Sequence, residues 1–210
     1  MSWNLAKELW RKSIHLAILV VLILYHLILQ RFDKQMALLM LTAFLILLLV
    51  LEYVRLELGK KMPLLSLFIR SKESYRMYGA VYFMIASIIT LAVFDFRIAL
   101  AALLMATFGD IAAALIGKKY GTTLIYRSKT WAGCIAGFVV NSLVGFIVLT
   151  NAYDILIRTS ITATNAYNIY IILGMAVTAT LVETLADELD DNLLIPIFAG
   201  FAGQVIKLAF

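Results

Sequence analysis

Seven apolar runs, separated by short charged segments, constrain this chain more than any other feature. They are Ile14–Leu29, Met36–Val54, Gly79–Phe94, Ile98–Gly117, Ala132–Leu149, Ile169–Leu185 and Leu193–Phe210. A hydrocarbon core roughly 30 Å thick is crossed by about 20 helical residues. The shorter runs therefore need help from flanking residues or a locally thinned bilayer. Inside the hydrocarbon each backbone N–H and C=O must be paired without water, which an α-helix achieves within its own segment. The expected fold is all-α: a polytopic transmembrane helical bundle of about seven spans. Composition agrees, with 63% of residues hydrophobic and 15% charged. A soluble domain sits near 45–50% apolar.

Residues 1–210 read as a single integral-membrane domain, because no long polar or Pro/Gly-rich stretch suggests a linker. The first run follows Arg11 and Lys12. It is too long for a signal h-region and no small-x-small cleavage site follows, so it reads as a span. Cys134 is the sole cysteine, which excludes an intramolecular disulfide. The net charge of +5 fits the positive-inside rule and anionic lipid headgroups better than nucleic acid.

Basic residues set the expected orientation. Lys7, Arg11 and Lys12 precede span 1, six Lys or Arg lie between spans 2 and 3, and Lys118, Lys119, Arg127 and Lys129 follow span 4. The intervening loops are poor in them, so the N-terminus is expected in the cytoplasm. The acidic segment after span 6, with Asp187, Glu188, Asp190 and Asp191, then shares the cytoplasmic face with the basic loop after span 4. The apolar stretch Met62–Ile69 is short enough to lie along the membrane surface.

Carboxylates inside a membrane are costly and generally functional, metal-bound or paired. Asp110 lies within span 4 and Glu183 near the inner end of span 6. If that helix continues, Glu183, Asp187 and Asp190 share a face, extended by Asp191 and Asn192. Such oxygen ligands suit Mg²⁺, which works with one or two carboxylates plus substrate phosphates. The segments Gly117-Lys118-Lys119-Tyr120-Gly121 and Arg127-Ser128-Lys129-Thr130 combine glycines, hydroxyls and cations, which suits a polyphosphate. No Walker A pattern occurs. His15 sits one helical turn from Arg11 and Lys12, where a headgroup or helix contact is the usual role. Cys134 reads as a small packing residue. Gly133, Gly137, Asn141 and Gly145 form a small-residue stripe on span 5, and Ala106, Gly109 or Asp110, Ala113 and Gly117 form another on span 4. These are packing seams first. The span-5 stripe is expected to be exposed, which allows a homodimer. A triphosphate, a metal and a bilayer together point to phosphoryl transfer onto a lipid.

At these residues the sequence resembles the CTP-dependent lipid kinases, the family of dolichol kinase, phytol kinase and the CTP-using diacylglycerol kinase. Arg11-Lys12-Ser13-Ile14-His15 resembles the family's R-K-x-x-H element. Glu52-Tyr53-Val54-Arg55, Arg70-Ser71-Lys72-Glu73 and Tyr78-Gly79-Ala80 resemble its middle segments. Gly109-Asp110-Ile111-Ala112-Ala113-Ala114 with Gly117 and Gly121, then Lys129-Thr130-Trp131-Ala132-Gly133, and finally Glu183 with Asp190-Asp191-Asn192, resemble the remaining elements in order. Ala132 departs from the pattern, standing where many relatives carry Glu.

The resemblance implies transfer of the γ-phosphate of CTP to a lipid alcohol. The basic loops put that reaction at the cytoplasmic face, and 210 residues with seven spans favour an isoprenoid alcohol such as a polyprenol, dolichol or phytol over diacylglycerol. The resemblance also implies that Lys118, Lys129 and Thr130 hold the triphosphate, with Arg11, Lys12, His15, Arg70, Glu73 and Asn192 closing the nucleotide site. Asp110, Asp187, Asp190 and Asp191 are the implied Mg²⁺ ligands, and Glu183 or Asp110 accepts or orients the acceptor proton. A cytidylyltransferase acting on a lipid phosphate is the nearest rival, although its K-R-x-x-K-D and D-x-x-D-S signatures are missing. A prenyltransferase would need a second Asp-rich motif. An ion-coupled transporter would use Asp110 and Glu183 as cation sites, but no inverted repeat is evident.

Overall fold

The computed structural model describes residues 17–57, 77–127, 129–150, 163–186 and 190–209. Each apolar run forms a helix: α1 Ala17–Arg31, α2 Lys34–Leu56, α3 Gly79–Val93, α4 Phe96–Tyr120, α5 Trp131–Leu149, α6 Ala163–Leu185 and α7 Asp191–Ala209. The fold is an all-α polytopic bundle. Stretches of α2, α4, α5, α6 and α7 are long and apolar enough to cross a membrane, and α1 and α3 are shorter apolar helices. Among the described residues the strands form one two-stranded ribbon, β1 Leu124–Tyr126 and β2 Lys129–Thr130. The segment Met62–Ile69 lies outside the described residues.

The helices fall into two compact units, Met1–Ile88 and Ile89–Phe210, with the division inside α3. In the first unit α1 packs on α2. Asp33 caps α2, its carboxylate accepting from Met36 N at 2.7 Å. Glu52 is buried near the end of α2. Its carboxylate accepts from Arg55 Nε at 2.9 Å and from the backbone N of Tyr78 at 2.7 Å. One acid thereby ties the last turn of α2 to the residue preceding α3.

In the second unit α4 packs against α5, α6 and α7. Its buried positions include Ala99, Ala101, Ala102, Ala106 and Ala113, and a helix with such small sides can be approached closely from several directions. The predicted stripe Gly133, Gly137, Asn141 and Gly145 is buried on α5. At Gly133 a Cβ would lie 2.8 Å from the backbone O of Ala113 and 3.2 Å from Gly117 Cα, so two backbones meet there. The stripe is consumed within the chain. It is not exposed for a second copy, and the homodimer loses the surface on which it was expected.

Hydroxyls within the helices are satisfied locally, as a waterless surrounding requires. Thr107 donates to Leu103 O at 3.0 Å, Ser142 to Phe138 O at 2.8 Å and Thr180 to Ala176 O at 2.8 Å. With its own proton committed, Thr180 Oγ1 accepts from Asn141 Nδ2 at 3.2 Å, which joins α5 to α6. Asn141 Oδ1 then turns toward Gly109, where any Cβ would collide with it, and has no partner among the described residues.

Candidate active site

The site begins with the face of α4 that repeats at helical spacing. Asp110, Ala113, Ala114, Gly117, Lys118 and Gly121 lie on one stripe. Lys118 and Lys119 form the last turn of α4, with Gly121 as the C-cap. The expected basic loop is therefore partly helix. Lysines are good helix formers and complement the negative end of the helix dipole, so the helix runs a turn beyond its apolar part.

The ribbon then returns the chain to the start of α5. Leu124 pairs with Thr130 and Tyr126 with Lys129, with an irregular register between them. Arg127 turns the corner with φ of 48°, a left-handed conformation suited to a two-residue hairpin loop. This return places Lys129 and Thr130 beside the end of α4. Thr130 caps α5, its hydroxyl accepting from Gly133 N at 3.2 Å. The same hydroxyl lies where Cβ atoms on Gly117 or Gly121 would strike it. The two glycines let the cap dock against the helix end.

These elements and α6 enclose a cavity of about 390 Å³. Its α4 wall is Ala113, Ala114, Gly117, Lys118 and Gly121, and its ribbon and α5 wall is Lys129, Thr130, Gly133 and Cys134. Glu183 and Thr184 close it from α6. Glu183 is 5% exposed. Lys129 Nζ lies 3.4 Å from its Oε1. A Cβ on Gly137 would lie 3.5 Å from Glu183 Oε2, so the carboxylate rests against the α4–α5 crossing. The hydroxyl of Thr184 lies 3.7 Å from Cys134 Sγ and donates to Thr180 O at 2.8 Å.

Four of the expected residues, Lys118, Lys129, Thr130 and Glu183, are thus brought together. Asp110 is buried one turn deeper than Ala113 and Ala114 on the same stripe and does not line the cavity. Glu183 and Asp190 do not share the helical face expected of them, because α6 ends at Leu185 and Asp190 precedes the first turn of α7. There Asp190 Oδ1 accepts from Asn192 N at 3.0 Å and from Asn192 Nδ2 at 2.6 Å, an N-cap arrangement. Asp190, Asp191 and Asn192 stand at the same end of the unit but do not line the cavity. Arg11, Lys12, His15, Arg70, Glu73 and Asp187 lie outside the described residues. Among the described residues no three His, Cys, Asp or Glu side chains gather as a metal cluster. Cys134 and Thr184 were not expected in the site. They share it because α5 and α6 meet there, a pairing that neither helix announces by itself.

A family model described as the cytidylyltransferase family matches residues 4–188. Among curated proteins, CTP-dependent diacylglycerol kinase 1 of Saccharomyces cerevisiae is 29% identical over 150 residues, covering 66% of this chain and 52% of the relative. The protein of the same name from Eremothecium gossypii is 34% identical over 77 residues, covering 36% of this chain and 24% of that relative. The chain spans about half the length of the first of these relatives. No solved structure matches it.

Proposed function

The chain belongs to the cytidylyltransferase family, and from that premise we propose that it transfers the γ-phosphate of CTP to the hydroxyl of a membrane lipid alcohol. The products are a lipid monophosphate and CDP. The observation that carries this is the cavity itself. Two lysines, a threonine at a helix N-terminus and closely packed glycines line it, with a buried carboxylate opposite. Cations and backbone approach suit a polyphosphate, and phosphoryl transfer depends chiefly on positioning and charge neutralisation.

Lys118 and Lys129 hold the phosphates. A triphosphate offers Lys129 more negative charge than Glu183 does, so nucleotide binding draws Lys129 off the carboxylate. Glu183 then accepts the proton of the acceptor hydroxyl. Asp110, one turn below, keeps negative charge beneath the reacting groups or serves as a metal ligand. The donor set fits a Mg²⁺ that arrives with the nucleotide, needing one or two protein carboxylates, better than a metal caged by protein alone. Asp110, Asp190 and Asp191 are its candidate ligands, with Asp187 from outside the described residues. When bound, the ion neutralises charge on the phosphates.

The relatives are named for diacylglycerol. The isoprenoid alcohols rest on the resemblance alone, so both classes belong in the test. The basic segments favour a cytoplasmic face for the cavity. Purified protein in detergent, given γ-labelled CTP, Mg²⁺ and a panel of dioleoylglycerol, phytol and a polyprenol, should yield a labelled lipid and CDP. The absence of both labelled lipid and CTP binding would overturn the reading. The family description favours one rival, cytidylyl transfer to a lipid phosphate. Pyrophosphate released with phosphatidic acid as acceptor would establish that rival instead.

A further inference from the structure

Resting on the lipid-alcohol reading above, we infer that the seam between α5 and α6 carries one hydrocarbon chain of the acceptor, leading its hydroxyl into the cavity. A groove of about 350 Å³ runs along this seam. Phe138, Ser142 and Phe146 line it from α5, and Ile169, Ile172 and Leu173 line it from α6. The α5 residues follow Cys134 at a spacing of four, so Cys134, Phe138, Ser142 and Phe146 form one continuous stripe. Its upper member lines the polar cavity and its lower members line the groove. The contact between Thr184 and Cys134 marks the threshold.

Two features make the groove a track for hydrocarbon. Ser142 is a small residue between two phenylalanines, one turn above and one turn below, which leaves a notch. Its hydroxyl is spent on Phe138 O, so the notch presents no unsatisfied polar group. The stripe from Cys134 to Phe146 spans about 18 Å at the helical rise, a little more than half of a hydrocarbon core. A lipid whose hydroxyl sits in the cavity therefore has an apolar path for its chain past the bilayer midplane. The neighbouring α4–α5 seam offers none, because Gly133, Gly137 and Gly145 bring other atoms into contact there.

A long-chain alcohol carrying a mid-chain diazirine, photolysed with the full protein in detergent, tests this without relying on turnover. Labelling at 138–146 and 169–173 should fall when unlabelled dioleoylglycerol is added, while labelling of Phe201, Val205 and Leu208, exposed on α7, should not. Competition spread equally over all these positions would overturn the inference. Ser142→Trp fills the notch and should abolish the competed labelling, whereas Ser142→Ala should keep it. In the kinase assay Ser142→Trp should raise KM for dioleoylglycerol by about tenfold or more while dihexanoylglycerol is turned over as before. Equal losses for both substrates, or none, would count against the track. Leu173→Trp, from the opposite wall, repeats the test should Ser142→Trp fail to fold. A wild-type protein with no kinase activity but with competed labelling would reject the proposed reaction and keep the lipid site.

Discussion

At each end of the second unit a lysine meets a carboxylate, and the two pairs differ in kind. At the cavity end Lys129 Nζ is 3.4 Å from Glu183, whose side chain is 6% exposed. At the other end Lys207 Nζ is 2.7 Å from Asp95, and both side chains are more than two-fifths exposed. The shorter contact is the weaker one in consequence. Water screens the exposed pair and solvates either partner if the other is removed. Water reaches the buried carboxylate far less, so its lysine matters even at a longer distance. Geometry of a pair ranks its strength only when burial is the same. The cavity end thus holds charge in a state that a polyanionic ligand can disturb, and the far end holds charge as a fastening.

The largest effect expected from this contrast is on turnover. Glu183→Gln should lower lipid-phosphate formation by about a hundredfold or more, with the protein still eluting as a folded species. Asp110→Asn should do the same if the deeper acid serves the same chemistry. Retained turnover in both would remove the cavity from the reaction. Next comes Lys129→Met, which should raise KM for CTP by about tenfold or more. It should also lower the melting temperature further than Glu183→Gln does, because it takes a cation away from a buried acid while the reverse change leaves only a part-exposed lysine. The double variant should recover part of that loss. If the two single variants are equally destabilised, burial is not what separates the two ends.

Packing gives a smaller effect with the same contrast. Gly133→Ala pushes a Cβ against the backbone O of Ala113, which cannot yield without parting α4 from α5. A cost of about 1–3 kcal/mol is expected, together with weaker CTP binding. Gly200→Ala, on α7, meets instead the ring of Phe94 at 2.5 Å. A ring can turn or shift, so the cost should be lower and CTP binding unchanged. Thermal unfolding in detergent with and without CTP separates the two cases.

Much of this contrast was legible in the chain and some was not, for physical reasons. Apolar runs in lipid have one way to satisfy their backbones, so every run became a helix. The apolar run does not show the last turn of α4, because Lys118 and Lys119 are polar yet good helix formers. The stripe on α5 was visible as a pattern of spacing, but spacing does not say which surface it meets, and α4 took it. The ribbon carries no Asn-Gly or Asp-Gly turn, and Arg127 in a left-handed conformation gives no signal in composition. Asp190 could have been recognised as an N-cap from its place before an apolar helix. It was instead grouped with Glu183 on the assumption that α6 continued.

The smallest effect belongs to the far end. Asp95 precedes α4, and its carboxylate accepts from Lys207 and from Gln204 Nε2 at 3.0 Å, while its backbone N donates to Gln204 Oε1 at 3.0 Å. Two of these three contacts survive when Lys207 is lost. The surviving pair runs through Gln204, which holds the start of α4 to the end of α7 without any charge on its own side chain. Lys207→Met should therefore cost less than about 1 kcal/mol, and the small loss should shrink further in high salt because the exposed pair is already screened. Along α4 this end lies more than 20 residues from Lys118, about 30 Å at the helical rise. Lipid-phosphate formation and KM for CTP should both stay at the wild-type level. A fall in turnover comparable with that of Lys129→Met would mean that the two ends are coupled through α4, and that the exposed pair is more than a fastening.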